Sequence, residues 1–124
     1  MTLYTITGQI RGGKNNLTVT RTGHRFPNAK WAKWRDVAVK EIVAQRQGRA
    51  QFTEPVNVRL DYYAEDRRRR DMPAIVDAIF HVLEKAGVVK DDTLLWITES
   101  SRNYDKANPR AEITILDENH NKTR

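Results

Sequence analysis

Cysteine is absent from the chain, so no disulfide framework can staple it and no thiolate can hold a metal; a reducing compartment, the cytoplasm, is the expected setting. Long apolar runs are absent too. No stretch approaches the roughly 18 consecutive apolar residues that a membrane-spanning helix needs, and the opening MTLYTITGQI has no charged lead-in to an apolar segment. Neither a membrane anchor nor an export signal is expected. Proline and glycine are sparse, four and six in 124 residues, and no tract repeats, which excludes a fibrous or low-complexity chain. One hydrophobic core fits this length but not two, so a single domain over residues 1–124 is expected.

What the chain has in excess is positive charge. Lysine and arginine number 22 against 16 acids, a formal charge of +6, which favours an anionic partner such as nucleic acid.

Apolar periodicity alternates between two and 3.6. LYTITGQI places Tyr4, Ile6 and Ile10 on one side of an extended segment, and LTVT with HRF suggests a short hairpin beyond the polar RGGKNN. From Asn28, a candidate cap, to about Gln47, the residues Trp31, Trp34, Ala38, Ile42 and Gln45 recur at helical spacing, with Val37, Val39 and Val43 widening the apolar side. VNVRLDYY alternates as a strand with one buried face. Residues 73–86 carry Ile75, Ile79, Val82 and Ala86 on one face, with Pro73 in the first turn and Gly87 as the stop, and so predict a second helix. TLLWIT and RAEITIL read as the last strands, joined by a polar loop SSRNYDKANP, and the tail DENHNKTR is expected to fray. The fold class expected is α+β, a mixed β-sheet with two packed α-helices.

Between VNVRLDYY and the second helix stands DRRRRD. Arg67, Arg68, Arg69 and Arg70 repel one another unless an anion, a phosphate or a flanking acid, sits beside them. Asp71 follows them at a helix N-terminus, a position that favours negative charge. Asp91 and Asp92 close the unit after Lys90. Each also admits a plainer account: arginines in a solvated loop, Asp71 as a helix cap, the acid pair as turn residues. Clustered carboxylates beside arginines suit metal-assisted phosphodiester hydrolysis. The helix between them runs about 20 Å, so Asp71 meets Asp91 or Asp92 only if the chain doubles back after it.

DRRRRD, the helix AIVDAIFHVLEKAG and VVKDD together resemble the signature of RusA-type Holliday-junction resolvases, and the likeness extends more loosely to YTITG, KNN and WRDVAVKEI. The resemblance implies a homodimer of mixed α/β subunits that binds branched, four-way DNA and cuts it symmetrically with Mg²⁺, Mn²⁺ being the other candidate ion. Carried over by position, the functional carboxylates fall on Asp71 and Asp92, with Asp91 adjacent. The chain departs from the pattern where the family has an acid, then Asn, then Lys: here stand Pro73, Ala74 and Asp77. Proline binds no metal. Either Asp77, four residues along the same helix face, replaces the lost ligand beside Asp71 and Asp92, or catalysis is weakened and the chain is a non-catalytic branched-DNA-binding or accessory protein on the same fold.

Lys14, Asn15, Asn16, Arg21 and Arg25 are candidate contacts to the DNA backbone, beside the four consecutive arginines. GGKNN lacks the full phosphate-loop pattern, so no nucleotide cofactor is expected. Trp31 and Trp34 offer stacking surfaces for exposed bases or, at helical spacing, core residues. Asp77 and His81 are four apart, a spacing that can bind a transition metal, while His24 and His120 read as loop and tail residues.

Overall fold

The computed structural model describes residues 1–12, 17–19, 25–27 and 29–116, with the backbone alone for 17–19 and 25–27. The strands are β1 (Thr2–Thr7), β2 (Leu17–Val19), β3 (Arg25–Pro27), β4 (Val56–Ala64), β5 (Leu95–Tyr104) and β6 (Arg110–Ile115), and the helices α1 (Ala29–Arg46) and α2 (Met72–Lys85). Four strands form one mixed sheet in the order β1-β6-β4-β5, with β4 and β5 parallel and the other pairs antiparallel. A parallel pair needs a crossover, and α2 is the crossover between β4 and β5. β2 and β3 make a separate two-stranded hairpin. The α+β class with two helices on one mixed sheet is therefore as expected.

Alternation along β4 decides which face is covered. Val56, Val58, Leu60, Tyr62 and Ala64 are buried with Ala111, Ile113 and Ile115 of β6 and Tyr4 and Ile6 of β1, under Ala38 and Ile42 of α1 and Ile75, Ile79, Val82 and Leu83 of α2. The opposite face is polar and paired within itself. Asp61 takes Ser101 Oγ at 2.5 Å and Arg59 Nε at 3.0 Å, and the Arg110 guanidinium lies 3.8 Å from the Tyr63 ring centre while pairing Asp105 and Glu112.

The two margins of the sheet are treated differently. At β1, side chains of α1 fill the ladder positions that a further strand would take. Thr5 N–H donates to Gln45 Oε1 at 2.7 Å, Gln45 Nε2 returns a bond to Thr5 C=O at 2.7 Å, and Thr7 N–H donates to Glu41 Oε1 at 2.8 Å. Gln45 thus faces the protein, as its spacing predicted, although as a backbone partner rather than a core residue. At β5 there is no such cover among the described residues. Helices α1 and α2 do not reach over it, and from Trp96 to Ser100 every residue is exposed.

Three expectations are corrected. β1 stops at Thr7 because Gly8, at φ 84°, turns the chain and donates its N–H to Pro109 C=O; Ile10 is buried, but beyond the strand. SSRNY is strand rather than loop: β5 pairs with β4 as far as Ala64 and Tyr104, across a bulge at Val58/Arg59. Val37 and Val43 face outward, so the buried side of α1 is narrower than its valines suggest. Among the described residues no helix is long and apolar enough to cross a membrane.

Candidate functional site

The chemistry-bearing residues collect at the two ends of α2. At its N-terminus, Glu65 N–H donates to Gln9 Oε1 at 2.9 Å and Gln9 Nε2 donates to the Tyr62 hydroxyl at 2.5 Å, which ties the exit of β4 to the loop after β1. Asp66 organises the arginine run. Its carboxylate accepts Arg68 N–H at 2.9 Å and Arg70 Nη2 at 2.5 Å, and the Arg70 side chain is only 17% exposed. Arg67 rests over the Tyr104 ring, 5.2 Å from its centre. Arg68, with 85% of its side chain exposed, and Arg69 remain accessible to an anion. Arg70 is therefore a structural member of the run.

Asp71 caps α2, accepting Ala74 N–H at 3.3 Å, which leaves its carboxylate at the positive end of the helix. It lines a cleft of about 820 Å³ with Arg69, Arg70, Asp77, Trp34 and residues 7–12. Gly12 permits this wall: a Cβ there would sit 3.1 Å from Ala74 main chain and side chain.

At the other end, Gly87 (φ 81°) turns the chain, and Phe52 pairs with Val89, leading it across the helix end rather than back along the helix. Asp91 then caps a short 3-10 turn, Asp92–Leu94, accepting the N–H and the hydroxyl of Thr93, each at 2.9 Å. These bonds, the backbone one foremost, hold the Asp91 carboxyl below the usual carboxylate range. Asp92 N–H donates to Glu84 Oε1 at 2.8 Å, so Glu84 fixes the start of that turn. Oxygens of Glu84, Asp91 and Asp92 lie within 4.8 Å of one another, the only such group of three metal-ligating side chains among the described residues.

The depressed value has a testable sign. Asp91 binds its proton less readily folded than unfolded, so its contribution to stability is present above the ordinary aspartate value and is lost as pH falls through the lower folded one. A carboxyl-carbon NMR titration is expected to place the Asp91 midpoint below that of an unstructured aspartate, and Thr93→Ala, which removes the hydroxyl but keeps the N–H, to move it only part of the way back.

From Asp71 to Glu84 is thirteen residues of helix, about 20 Å. The structure thus brings Asp71 and Asp77 to one cleft and Asp91 and Asp92 to the opposite end of α2, and does not gather Asp71, Asp77 and Asp92 around a common ion within one chain. The reason is the Phe52–Val89 pairing, which prevents the doubling back that such a site requires. Lys14, Asn15, Asn16, Arg21, Asn28, His24 and His120 lie outside the described residues, and of Arg25 only the backbone is described. Trp31 is a core residue: it is buried, its indole N–H donates to Arg11 C=O at 3.1 Å, and its ring packs against Trp34 and His81. Glu84 escaped notice in the sequence, although an acid in the last turn of a helix opposes the dipole there and so signals a local purpose.

The model of the family described as Endodeoxyribonuclease RusA matches residues 7–116. The chain belongs to that family. The RusA match spans the arginine loop, the whole of α2, the acid cluster and every strand except β1, of which it takes only Thr7. A curated relative, the crossover junction endodeoxyribonuclease RusA of Aquifex aeolicus, is 28% identical over 93 residues, which cover 75% of this chain and 73% of that protein. The RusA resemblance first carried by DRRRRD and VVKDD therefore extends over the described fold.

Proposed function

We propose that the chain is a divalent-cation-dependent endodeoxyribonuclease that resolves four-way DNA junctions in recombination and repair, working as a homodimer in the cytoplasm. The observation that carries this is the pairing, in a RusA-family chain, of an arginine loop at one end of α2 with three converging carboxylates at the other.

Three carboxylates suit a hard cation, so Glu84, Asp91 and Asp92 would hold Mg²⁺ or Mn²⁺. When bound there, such an ion polarises a phosphoryl oxygen and makes water nucleophilic near neutral pH. The protein's own part is distributed. Thr93 and the backbone of the turn keep Asp91 ionised, Glu84 aims the turn, and Arg68 and Arg69 present donors to the DNA backbone. Glu84 gives the acid pair a third carboxylate at the end of α2 opposite Pro73. Asp77 stays on the arginine side, in the cleft with Asp71. Since α2 holds Asp71 about 20 Å from the acid cluster, a site that uses both draws them from two copies of the chain.

Incubated with a synthetic four-way junction and Mg²⁺, the protein is expected to make paired, symmetric nicks. Asp92→Asn should lower cleavage at least about a hundredfold while leaving junction binding within about twofold. Pro73 supports a second reading, an accessory protein that binds branched DNA without cutting it. Tight junction binding with no scission in Mg²⁺ or Mn²⁺ would establish that one instead.

A further inference from the structure

We propose that the outer edge of β5 is the seam along which a second copy of this chain docks, antiparallel and about a two-fold axis. This rests on the homodimer of the preceding reading and names the surface that forms it.

Three observations converge on β5. First, it is the uncovered margin of the sheet: among the described residues no strand pairs with its outer edge and no side chain caps it as Gln45 and Glu41 cap β1. A ten-residue edge strand left in this state is a template for another strand. Second, directly after the buried Leu95 the strand carries Trp96, 60% exposed, and Ile97, 37% exposed, large apolar side chains beside an edge that lacks lysine and proline. Exposed tryptophan is the residue type that most often anchors an interface.

Third, the two ends of β5 carry opposite charge. Its N-terminus follows directly on Asp91 and Asp92, with Glu84 alongside; its C-terminus, Tyr104, lies under Arg67 and beside the loop that carries Arg68 and Arg69. These ends are about 30 Å apart along the strand. A two-fold antiparallel pairing sets the beginning of one β5 against the end of the other, so the acids of each copy meet the arginine loop of its mate at both ends. A parallel pairing would set acid on acid and arginine on arginine. The charge pattern therefore selects a symmetric dimer.

Because the chain has no cysteine, single replacements give an unambiguous readout. Thr98→Cys, Ser100→Cys and Arg102→Cys are exposed positions of β5, and one of the three, that nearest the axis, should face its own copy closely enough for a disulfide. Mild oxidation of the full chain without DNA is expected to convert most of that variant to a covalent dimer, while Leu3→Cys on β1 stays monomeric on a non-reducing gel. Trp96→Glu should weaken the dimer at least about tenfold in sedimentation, with an unchanged circular dichroism spectrum because the side chain is exposed. A dimer in sedimentation that none of the three cysteines captures and Trp96→Glu leaves intact overturns the seam, as does a chain that stays monomeric with and without a four-way junction. The nuclease reading is judged separately: cross-linking without scission keeps the seam and rejects catalysis, whereas scission by a protein that no β5 cysteine can cross-link keeps catalysis and rejects the seam.

Discussion

Asp71→Asn and Asp92→Asn chains, each inactive alone, are expected to recover about a quarter of the wild-type nicking rate when mixed in equal amounts and allowed to exchange subunits. The two acids stand at opposite ends of a 14-residue helix, so in the proposed dimer the acid cluster of one copy would work with the Asp71 of the other. In a mixed dimer, one of the two sites receives both faults and the other receives none. Half of the dimers in an equal mixture are mixed, and half of their sites are intact, hence about a quarter. The product should be nicked on one strand only, since each mixed dimer owns one working site. If each chain housed a complete site, both sites of a mixed dimer would carry a fault and nothing would be recovered. Junction-nicking kinetics on denaturing gels, before and after exchange, separate these outcomes.

Ile79→Ala is expected to lower the stability of the fold by about 3 kcal/mol. Ile79 is fully buried at the middle of the helix, on the face that meets the sheet, so truncation removes apolar contact and leaves a cavity that neighbours pinned on both layers fill poorly. A domain of this size holds on the order of 10 kcal/mol in total, so the loss is a substantial fraction. Urea unfolding should show a lower midpoint at an unchanged slope. The exposed Val43→Ala, on the outer side of α1, should shift the midpoint little.

What the sequence revealed follows from where each segment is buried. α2 and β4 are packed on one side along their whole length, so Ile75, Ile79 and Val82, and Val56, Val58 and Leu60, print their periods plainly. β5 is exposed from Trp96 to Ser100, and Ser101 and Asn103 are half-buried only in polar contacts with Asp61 and the Tyr62 carbonyl, so nothing forces apolar alternation and a strand reads as a loop. α1 misled in the other sense: Val37 and Val43 imply a broad buried side, while Gln45 and Glu41 face β1 because its backbone needs partners more than the core needs volume. The arginine run and the acid pair were visible as motifs. Their separation depended on the Phe52–Val89 bridge, a contact between segments 37 residues apart, and Glu84 acquired its meaning only once that bridge had set the turn beside it.

The side chains that seal β1 have a consequence for how far assembly can proceed. In the proposed dimer, joining at β5 would consume the open border of the four-stranded sheet, so a pair would become a continuous sheet of eight strands, four from each chain, with Gln45 and Glu41 capping β1 at both outermost borders. Growth through this sheet would then terminate at two, short of the ribbon-like polymers open to any sheet that is adhesive on both flanks.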